Sequence, residues 1–590
     1  MKELKYLNKY LYKYRLKLFF GILITIIARV LSLVAPRLIG KSLDTVEDFI
    51  KNKDSIGLES LEKKLFVYIS IIIGSALISG FFTFLMRQAI INVSRFIEFD
   101  LKNEIFIQYQ KLSQTFYKIN RTGDLMNRIS EDVGKVRMYF GPAIMYGINI
   151  VTLFLIVITY MVSVAPKLTF YTLIPLPVLS YLIFKLNKAI HQKSTIVQEM
   201  LSKLSSFTQE IFSGISVIKS YNLSDKLQLK FNLISLESKN KNMDLVKLQA
   251  WFFPLMLLLI GASNLIVIFI GGSQYMNDEI KIGVLAEFII YVNMLTWPVT
   301  VVGWLTSIIQ QAEASQKRIN IFLKEKSKIK DGINNQIIKF NSIEFKKIKL
   351  RYLDTGIEAL KNVSFRIKKG ETLGIIGPVG SGKTSIFELI LRLYDPTSGQ
   401  ILINNIPISS LKLKNLRKII SYVPQNGFLF SNTITENIKF GKPDAKMSEV
   451  IQASKDAFIY NEIKKLNLNF NTMLGERGIN LSGGQIQRIS IARGLIKDPD
   501  IILFDDCLSS VDTETEENIL NNLTTKFHDK TKLIISHRIS SVKTADKILV
   551  VKNGIIVEHG KHEELIKLNG GYYKKIFDKQ IGEKQNNLLC

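Results

Sequence analysis

Cysteine and histidine are scarce in this chain of 590 residues, which contains 2 cysteines and 5 histidines. Because Cys507 and Cys590 are the only thiols, we expect no disulfide framework to hold the fold together. The N-terminus lacks a short apolar core followed by a small-residue cleavage site. We therefore expect no removable signal peptide. No domain precedes the first apolar stretch at Leu18, so a fused peptide-processing protease is not expected either.

Acidic residues are few relative to basic ones. The chain has 51 Asp and Glu against 78 Lys and Arg, which gives a net charge of +27. Proteins that bind nucleic acids concentrate such an excess in one patch or stripe. Here the lysines are spread through the whole chain, so compositional bias and lysine-rich cytoplasmic loops explain the charge. No nucleic-acid partner is predicted.

Apolar residues are abundant, at 47% of the chain with a mean hydropathy of +0.17. This composition predicts a membrane domain. Six apolar stretches before residue 320 are each long enough to cross a hydrocarbon core, which takes about 20 residues. They are Leu18 to Pro36, Leu65 to Met86, Phe140 to Val162, Leu168 to Leu186, Trp251 to Gly271 and Val284 to Ile309.

The segments between these stretches differ in charge. Residues 87–139 and 187–250 and the N-terminus carry an excess of Lys and Arg, whereas 40–64 balances its lysines with acidic residues. By the positive-inside rule, both termini and both long segments are predicted to be cytoplasmic. The run Leu4 to Lys17 is predicted to lie along the cytoplasmic face as an amphipathic helix. The sequence thus predicts a multi-pass protein of the cell membrane.

Arg29 lies inside the first apolar stretch, where a charge is costly unless it faces water or a partner. Two interpretations stay open. Arg29 lines a polar cavity between helices, or the span begins later and the side chain extends to the membrane interface.

A phosphate-binding loop follows the membrane portion. It fits the pattern of glycine, four residues, glycine, lysine, and serine or threonine, between a predicted strand, 372–376, and a predicted helix, 385–393. Lys383 is predicted to reach the β and γ phosphates of ATP and Thr384 to ligate Mg²⁺, with Ser385 included in the ATP-binding set. The loop reads Gly377-Pro378-Val379-Gly380-Ser381-Gly382-Lys383-Thr384.

A second motif, Leu481-Ser482-Gly483-Gly484-Gln485, opens a predicted helix over 486–496. With both motifs after six spans, the chain resembles ABC transporters of the exporter type. The resemblance implies an all-α membrane domain of six helices followed by an α/β P-loop ATPase domain. The predicted boundaries are a membrane domain over 1–323, a charged linker over 324–340, the ATP-binding domain over 341–580 and a tail over 581–590.

The resemblance also assigns roles outside the phosphate loop. It implies that Tyr352 stacks on adenine and that Gln425 touches Mg²⁺ and the attacking water. Asp505, at the end of the buried run 501–504, fits as the metal partner. His537 matches a histidine that contacts the γ-phosphate and the water, and Asp512 matches a loop that crosses to the other half of a dimer.

Three further segments resemble docking elements of exporters. The first resembles a short loop that contacts the membrane domain and reads Gly475-Glu476-Arg477-Gly478. The alternative is a plain turn without such a contact. Phe116 to Arg128 and Ser213 to Lys226 resemble segments whose short transverse helices dock into nucleotide domains. The alternative is that both are the middles of long helices.

One position departs from the family pattern. The residue after the metal-binding aspartate is usually a glutamate that polarises the attacking water, but here it is Asp506. The missing methylene withdraws the carboxylate by roughly 1.5 Å. This predicts a site that binds ATP but hydrolyses it weakly. The alternative is that the backbone shifts and Asp506 serves as it stands.

Two such domains in this family clamp two ATP molecules head to tail. The resemblance therefore implies a second half-transporter subunit, predicted to be non-identical and to carry the missing glutamate, with a homodimer as the alternative. The transported molecules are predicted to be amphipathic drugs, lipids or peptides. A second functional hypothesis is an ATP-gated regulatory or channel-like membrane protein, in which the weak site acts as a sensor.

Overall fold

A computed structural model of the chain describes residues 2–51, 58–336, 339–475, 478 and 480–587. The chain divides into two compact units. The first spans Met1–Gln110 and Gly123–Glu325, and the second spans Lys111–Thr122 and Lys326–Cys590. A short segment from the N-terminal half of the sequence thus belongs with the second unit.

Helices account for almost all of the described residues before 325. They are α1 (Asn8–Lys13), α2 (Arg15–Ser32), α3 (Val34–Lys51), α4 (Leu58–Lys111), α5 (Gln114–Ile119), α6 (Thr122–Asn127), α7 (Val133–Met138), α8 (Ile144–Val164), α9 (Pro166–Leu173), α10 (Pro175–Ser213), α11 (Ile215–Ser220), α12 (Ser224–Ala250), α13 (Phe252–Ile266), α14 (Gly272–Met276) and α15 (Ile282–Lys324). A 3₁₀ turn covers Glu3–Leu7, and π-helical turns cover Arg128–Asp132, Tyr139–Ala143 and Val267–Gly271.

These elements combine into six helical runs that are long and apolar enough to cross a membrane, which confirms the six predicted spans. Each run extends beyond its apolar stretch. The two long polar segments are therefore mostly helix rather than loop, because α4, α10 and α12 continue past the hydrocarbon region with polar side chains. The short helices α5, α6, α7 and α11 also lie in these two segments.

Large apolar side chains hold the first unit together. Val157, Met161, Leu168, Phe288 and Tyr291 are fully buried in one cluster. They come from α8, α9 and α15, which places these helices side by side. Burying side chains of this size stabilises a fold by about 1.5–3 kcal/mol each in water, whereas between membrane helices the gain comes from close packing.

The N-terminal run differs from the amphipathic helix predicted over Leu4 to Lys17. It forms a 3₁₀ turn and the short helix α1, and its polar side chains bind α4. Lys9 Nζ lies 2.7 Å from a carboxylate oxygen of Glu104, and Lys13 Nζ lies 2.6 Å from Asp100. The segment is therefore attached to the polar extension of α4 through paired charges.

The second unit contains two β-sheets. A four-stranded antiparallel sheet has the order β2-β1-β4-β5, and a six-stranded sheet has the order β10-β9-β3-β8-β7-β6. In the larger sheet all neighbours are parallel except β10, which runs antiparallel to β9. The strands are β1 (Ser342–Arg351), β2 (Glu358–Lys368), β3 (Thr372–Ile376), β4 (Ser398–Ile403), β5 (Ile406–Pro407), β6 (Ile420–Val423), β7 (Ile501–Asp505), β8 (Thr531–Ile535), β9 (Lys547–Lys552) and β10 (Ile555–Gly560).

The helices of the second unit that follow residue 341 cover both faces of the six-stranded sheet. They are α16 (Lys383–Ile390), α17 (Leu413–Lys418), α18 (Ile434–Lys439), α19 (Met447–Asp456), α20 (Tyr460–Lys465), α21 (Gly483–Leu495), α22 (Thr513–Thr525), α23 (His562–Lys567) and α24 (Tyr572–Asn587). Along β7, Ile501 and Leu503 enter one core while Ile502 and Phe504 enter the other. Alternate side chains of a strand point to opposite faces, so a strand buried on both faces is apolar throughout.

The predicted fold class is confirmed, but two helix limits differ from the prediction. The helix after the phosphate loop was predicted over 385–393 and spans Lys383–Ile390. The helix after the second motif was predicted over 486–496 and spans Gly483–Leu495. Both helices begin inside their motifs. The first N–H groups of each helix are therefore free to bind a ligand or a cap.

Candidate nucleotide site

The predicted catalytic residues lie at one edge of the six-stranded sheet. The strands β3, β8, β7 and β6 are adjacent and parallel, so the loops that follow them meet at their carboxyl ends. In open α/β sheets this edge is where ligands bind. The phosphate loop follows β3, Asp506 follows β7, His537 follows β8 and Gln425 follows β6.

The phosphate loop has the backbone that its glycines predict. Gly382 has φ +96, and a Cβ placed there would lie 2.3 Å from the carbonyl oxygen of Ala359. Only glycine fits that position without moving the backbone. The Lys383 ammonium donates hydrogen bonds to the carbonyl oxygens of Gly377 (2.9 Å) and Pro378 (2.8 Å). Burial lowers the pKa of Lys383 below its usual value, so a phosphate would stabilise this cation.

Asp505 lies beside the hydroxyl that was predicted to bind the metal. Thr384 Oγ1 donates to Asp505 Oδ1 at 3.0 Å, and the Tyr422 hydroxyl donates to Asp505 Oδ2 at 3.1 Å. Burial raises the pKa of Asp505, and the two hydroxyls oppose that rise. A buried carboxylate next to a threonine hydroxyl provides the hard oxygen ligands that suit Mg²⁺.

A cage of three or more His, Cys, Asp or Glu side chains able to hold a metal ion does not occur in the described ranges. Mg²⁺ does not require one, because it binds through one or two carboxylates together with substrate phosphates and water. Thr384 and Asp505 therefore fit a metal that arrives with ATP, and the contact of Gln425 with that metal stays a prediction. When bound, the ion would neutralise charge on the phosphates.

Asp506 is fixed by the two other residues predicted to act on the attacking water. Gln425 Nε2 donates to Asp506 Oδ2 at 3.2 Å, and the backbone N–H of His537 donates to Asp506 Oδ1 at 3.4 Å. Asp506 adopts a left-handed backbone with φ +46. The structure thus brings Gln425, Asp506 and His537 together, although their roles in hydrolysis stay a prediction.

His537, which is predicted to contact the γ-phosphate, is half-buried after β8. Burial is the main cause that lowers the pKa of His537, and the charge of Lys383 lowers it further, while Asp506 opposes both. Gln580 of α24 fixes the backbone around this histidine. Gln580 Nε2 donates to the His537 carbonyl oxygen at 2.7 Å, and Gln580 Oε1 accepts from the Ile539 N–H at 3.0 Å.

Gln580 is therefore expected to position His537 without touching ATP. In the Asp506→Glu background, whose turnover is measurable, we expect Gln580→Ala to lower kcat by about 10-fold, because two hydrogen bonds that orient the loop are lost. The ATP affinity is expected to stay unchanged. The check is steady-state ATP hydrolysis beside Asp578→Ala, an exposed control on the same helix. Equal kcat values for the two variants would contradict the positioning role.

The second motif caps α21. The Ser482 N–H donates to Gln485 Oε1 at 2.9 Å, while the Gln485 N–H donates to Ser482 Oγ at 3.3 Å. Gly484 lies close to Ser510, whose carbonyl oxygen would be 2.9 Å from a Cβ at that position. Ser482 and Gly483 are exposed, and no hydrogen bond joins this motif to the phosphate loop within the described residues. The motif is thus preformed at the surface.

Asp512 caps the helix that follows it. Its carboxylate accepts a hydrogen bond of 2.9 Å from the Thr515 N–H at the start of α22. That bond is the main cause that lowers the pKa of Asp512. The crossing role predicted for Asp512 stays a prediction. The predicted docking loop 475–478 is not fully described, because Glu476 and Arg477 lie outside the described residues.

Tyr352 has neighbours that the sequence did not reveal. Its hydroxyl bonds Glu388 and lies 2.8 Å from Ser385 Oγ. Its ring meets Tyr394 edge to face at 5.1 Å, and Lys118 Nζ lies 5.0 Å from the ring centroid. Lys118 also lies 3.4 Å from Glu388. The predicted adenine platform is thus tied to α5, which belongs to the same compact unit.

Sequence reasoning missed Lys118, Glu388, Tyr394 and Gln580 because none of them belongs to a recognised motif. Glu388 carried the only local signal. It lies on α16, about one turn after Ser385, on the face that follows the phosphate loop. The others are brought to the site only by tertiary contacts.

Two protein families match this chain. Residues 18–299 match the family described as ABC transporter transmembrane region, and residues 360–509 match the family described as ABC transporter. The chain is 36% identical over 563 residues to the multidrug resistance-like ATP-binding protein MdlA of Buchnera aphidicola subsp. Schizaphis graminum (strain Sg), with 95% of each chain covered.

Further relatives agree in length as well as sequence. The probable multidrug resistance ABC transporter ATP-binding/permease protein YheI of Bacillus subtilis (strain 168) is 34% identical over 580 residues, covering 98% of this chain and 97% of that protein. A solved structure of a bacterial Atm1-family ABC exporter with ATP bound has a TM-score of 0.79. It covers 96% of this chain and 99% of its own at 22% identity, which shows a common fold.

Six membrane-spanning helices and a P-loop domain in one chain, with relatives above 30% identity along almost their full length, lead to one conclusion. The chain belongs to the ABC transporters, as a multi-pass protein of the plasma membrane whose cytoplasmic nucleotide-binding domain hydrolyses ATP.

Proposed function

We propose that this chain is one half of a two-chain exporter that uses ATP to move amphipathic molecules, such as drugs, lipids or peptides, out of the cytoplasm. The observation that carries the proposal is the meeting of Lys383, Asp505 and His537 at one sheet edge, in a chain with six spans. The names of two relatives refer to multidrug resistance, which favours drug-like substrates.

The ATP site built on this chain's own phosphate loop is proposed to hydrolyse slowly. Both oxygens of Asp506 accept hydrogen bonds, from Gln425 and from the His537 backbone. A glutamate would extend about one methylene further toward the γ-phosphate. The side chain of Asp506 is too short to hold the attacking water in the best position. A displacement of about 1 Å can cost roughly 10²-fold in the rate of hydrolysis.

The intact second motif is proposed to complete the site of another chain. Ser482 and Gly483 are exposed at the start of α21, where free N–H groups and the helix dipole attract phosphate.

The short helix α11 is a second exposed surface and has no buried residue. Its Val217 and the adjoining Tyr221 are 58% and 74% exposed. Apolar side chains this exposed favour a contact with a companion subunit.

The companion is proposed to be a non-identical half-transporter that carries glutamate at the position equivalent to Asp506. Each chain supplies the phosphate loop of one site and the Leu481 to Gln485 motif or its equivalent to the other. One site of the pair would then hydrolyse ATP rapidly while the site on this chain mainly binds it. ATP bound in only one of two conformations shifts the balance between them, which is how binding would drive transport.

Transport is tested with inside-out membrane vesicles that contain the complex purified through this chain. We expect ATP and Mg²⁺ to drive accumulation of a fluorescent amphiphile in the vesicles, because ATP binds on the cytoplasmic side that faces the medium. Vesicles with Lys383→Ala should accumulate several-fold less. ATP-dependent conductance across a planar bilayer without any turnover or accumulation would contradict export and favour the regulatory alternative.

A further inference from the structure

A charged side chain without a partner lines a cavity in the membrane unit. The six apolar stretches contain only three charged residues, Arg29, Lys185 and Glu287. Arg29 makes no ion pair in the part of the chain that the structure describes, and no carboxylate acts on it. Its Nε is inaccessible to solvent and has no hydrogen-bond acceptor. A guanidinium among membrane helices is costly, and more so when its Nε lacks an acceptor, so a ligand that supplies an acceptor would be stabilising.

Glu287 does not neutralise Arg29 within this chain. Its side chain packs against Gly40. Gly40 lies on α3, whereas Arg29 lies on α2, eleven residues earlier in the chain. Glu287 instead bonds the Tyr291 hydroxyl at 3.5 Å. The cavity at Arg29 therefore keeps its positive charge.

The cavity itself has a volume of about 250 Å³. Its wall combines Arg29 and Asn149 with apolar side chains that include Ile150, Met294 and Trp297. The Oδ1 of Asn149 is also buried without a hydrogen-bond partner. Asn149 can turn either its carbonyl or its NH₂ group toward a ligand. A few polar groups among apolar and aromatic walls are typical of a small-molecule site.

A second cavity of about 480 Å³ shares Tyr146 with the first. Arg87 and Asn92 line it, together with Trp304, whose ring meets Tyr146 edge to face at 5.6 Å. Neither cavity has an acidic residue in its lining. The two cavities adjoin at Tyr146 and both present positive charge and aromatic surface. The second lies in the size range of about 300–1,000 Å³ that drug-sized ligands occupy.

We propose that Arg29 binds the acidic head group of the transported molecule, so that the substrates are amphipathic anions with an aromatic or aliphatic body. The guanidinium donates two parallel hydrogen bonds to a carboxylate, sulfonate or phosphate, and Asn149 orients the same group. Tyr146 and Trp297 contact the apolar body. The proposal rests on the transport function above and specifies the substrate class that the membrane unit accepts.

Binding is tested on the full-length protein in nanodiscs of neutral phosphatidylcholine, without ATP. The probes are 1-pyrenebutyric acid, its methyl ester and 1-pyrenebutylamine, which share one apolar body and differ in charge. Two of the 3 tryptophans in the chain, Trp297 and Trp304, line the two cavities, so energy transfer from tryptophan to pyrene reports a bound probe. The acid is expected to bind about 10-fold or more tightly than the ester, and the amine most weakly.

Arg29→Gln is expected to reduce the affinity for the acid to that for the ester and to leave the ester unchanged. Arg29→Lys should retain part of the preference, because it keeps the charge but loses the paired hydrogen bonds. Arg15→Gln is the matched control, since Arg15 begins the same helix and is exposed. Adding phosphatidylglycerol to the nanodiscs identifies the source of the anion: competition assigns it to lipid, and no competition assigns it to free amphiphiles.

Equal affinity of the wild-type protein for the acid and the ester would overturn the proposal. Loss of all three probes in Arg29→Gln would also overturn it, because Arg29 would then have a structural role, such as pairing with a carboxylate of a companion subunit. Since binding is measured without ATP, either failure leaves the test of ATP-driven accumulation intact.

Discussion

Replacing Asp506 with glutamate is expected to raise the Mg²⁺-dependent ATP turnover of this chain by about 10- to 100-fold. The added methylene moves the carboxylate roughly 1.5 Å toward the γ-phosphate, which restores the reach that positions the attacking water. The longer side chain would also give up the hydrogen bond that Asp506 accepts from the His537 backbone N–H. The measurement is steady-state phosphate release by the chain purified alone in lipid, with vanadate as the inhibitor.

Two controls separate this effect from a general change in stability. Asp506→Asn has no carboxylate and should not exceed the wild-type rate. Asp498→Glu is the matched substitution, because Asp498 also has a left-handed backbone, with φ +50, but precedes β7 and so lies away from the carboxyl edge. Similar, vanadate-sensitive turnover in wild type and Asp506→Glu would show that Asp506 serves as it stands, and the homodimer would become the better account.

Lys383→Ala is expected to lower the affinity for ATP by about 100-fold. The Lys383 ammonium bonds two carbonyl oxygens of its own phosphate loop, and we expect it to bond the phosphates of ATP there. Hydrogen bonds from a charged donor are worth about 1.5–3 kcal/mol each, and several phosphate oxygens would receive them. The fold itself should tolerate the change, because alanine removes a cation that is desolvated in the nucleotide-free protein.

Thermal unfolding with and without MgATP checks this expectation. A ligand at 100 times its Kd stabilises the folded state by about 2.7 kcal/mol, so the wild-type unfolding temperature should rise with ATP and that of Lys383→Ala should not. Lys369→Ala, an exposed lysine of the same domain, should respond as the wild type does. A full response to ATP in Lys383→Ala would show that the loop binds phosphate without its lysine.

Much of this architecture could be predicted from the sequence, because the strongest patterns are local. Apolar runs of about 20 residues are long enough to span a membrane, and the strand, glycine loop and helix of the phosphate site are consecutive in the chain. The buried run 501–504 likewise predicted a strand that ends in Asp505, and β7 has that form.

Other parts of the site depend on contacts between distant residues. Lys118 reaches Tyr352 only because the helix α5 packs with the nucleotide domain, which no local pattern reports. Gln580 reaches His537 because α24 returns to the sheet edge. Helix limits also differ from the prediction by one to three residues, since capping by Ser482 decides where α21 begins and periodicity does not.

The central claim is that this chain carries the weak ATP site of a pair whose other chain carries the strong one. Affinity purification through this chain, tagged at its own locus and expressed at its native level, followed by native mass spectrometry of the complex in lipid, tests it most directly. The account predicts a second half-transporter in a 1:1 complex, with glutamate at the position equivalent to Asp506. A complex that contains two copies of this polypeptide and no other subunit would contradict it.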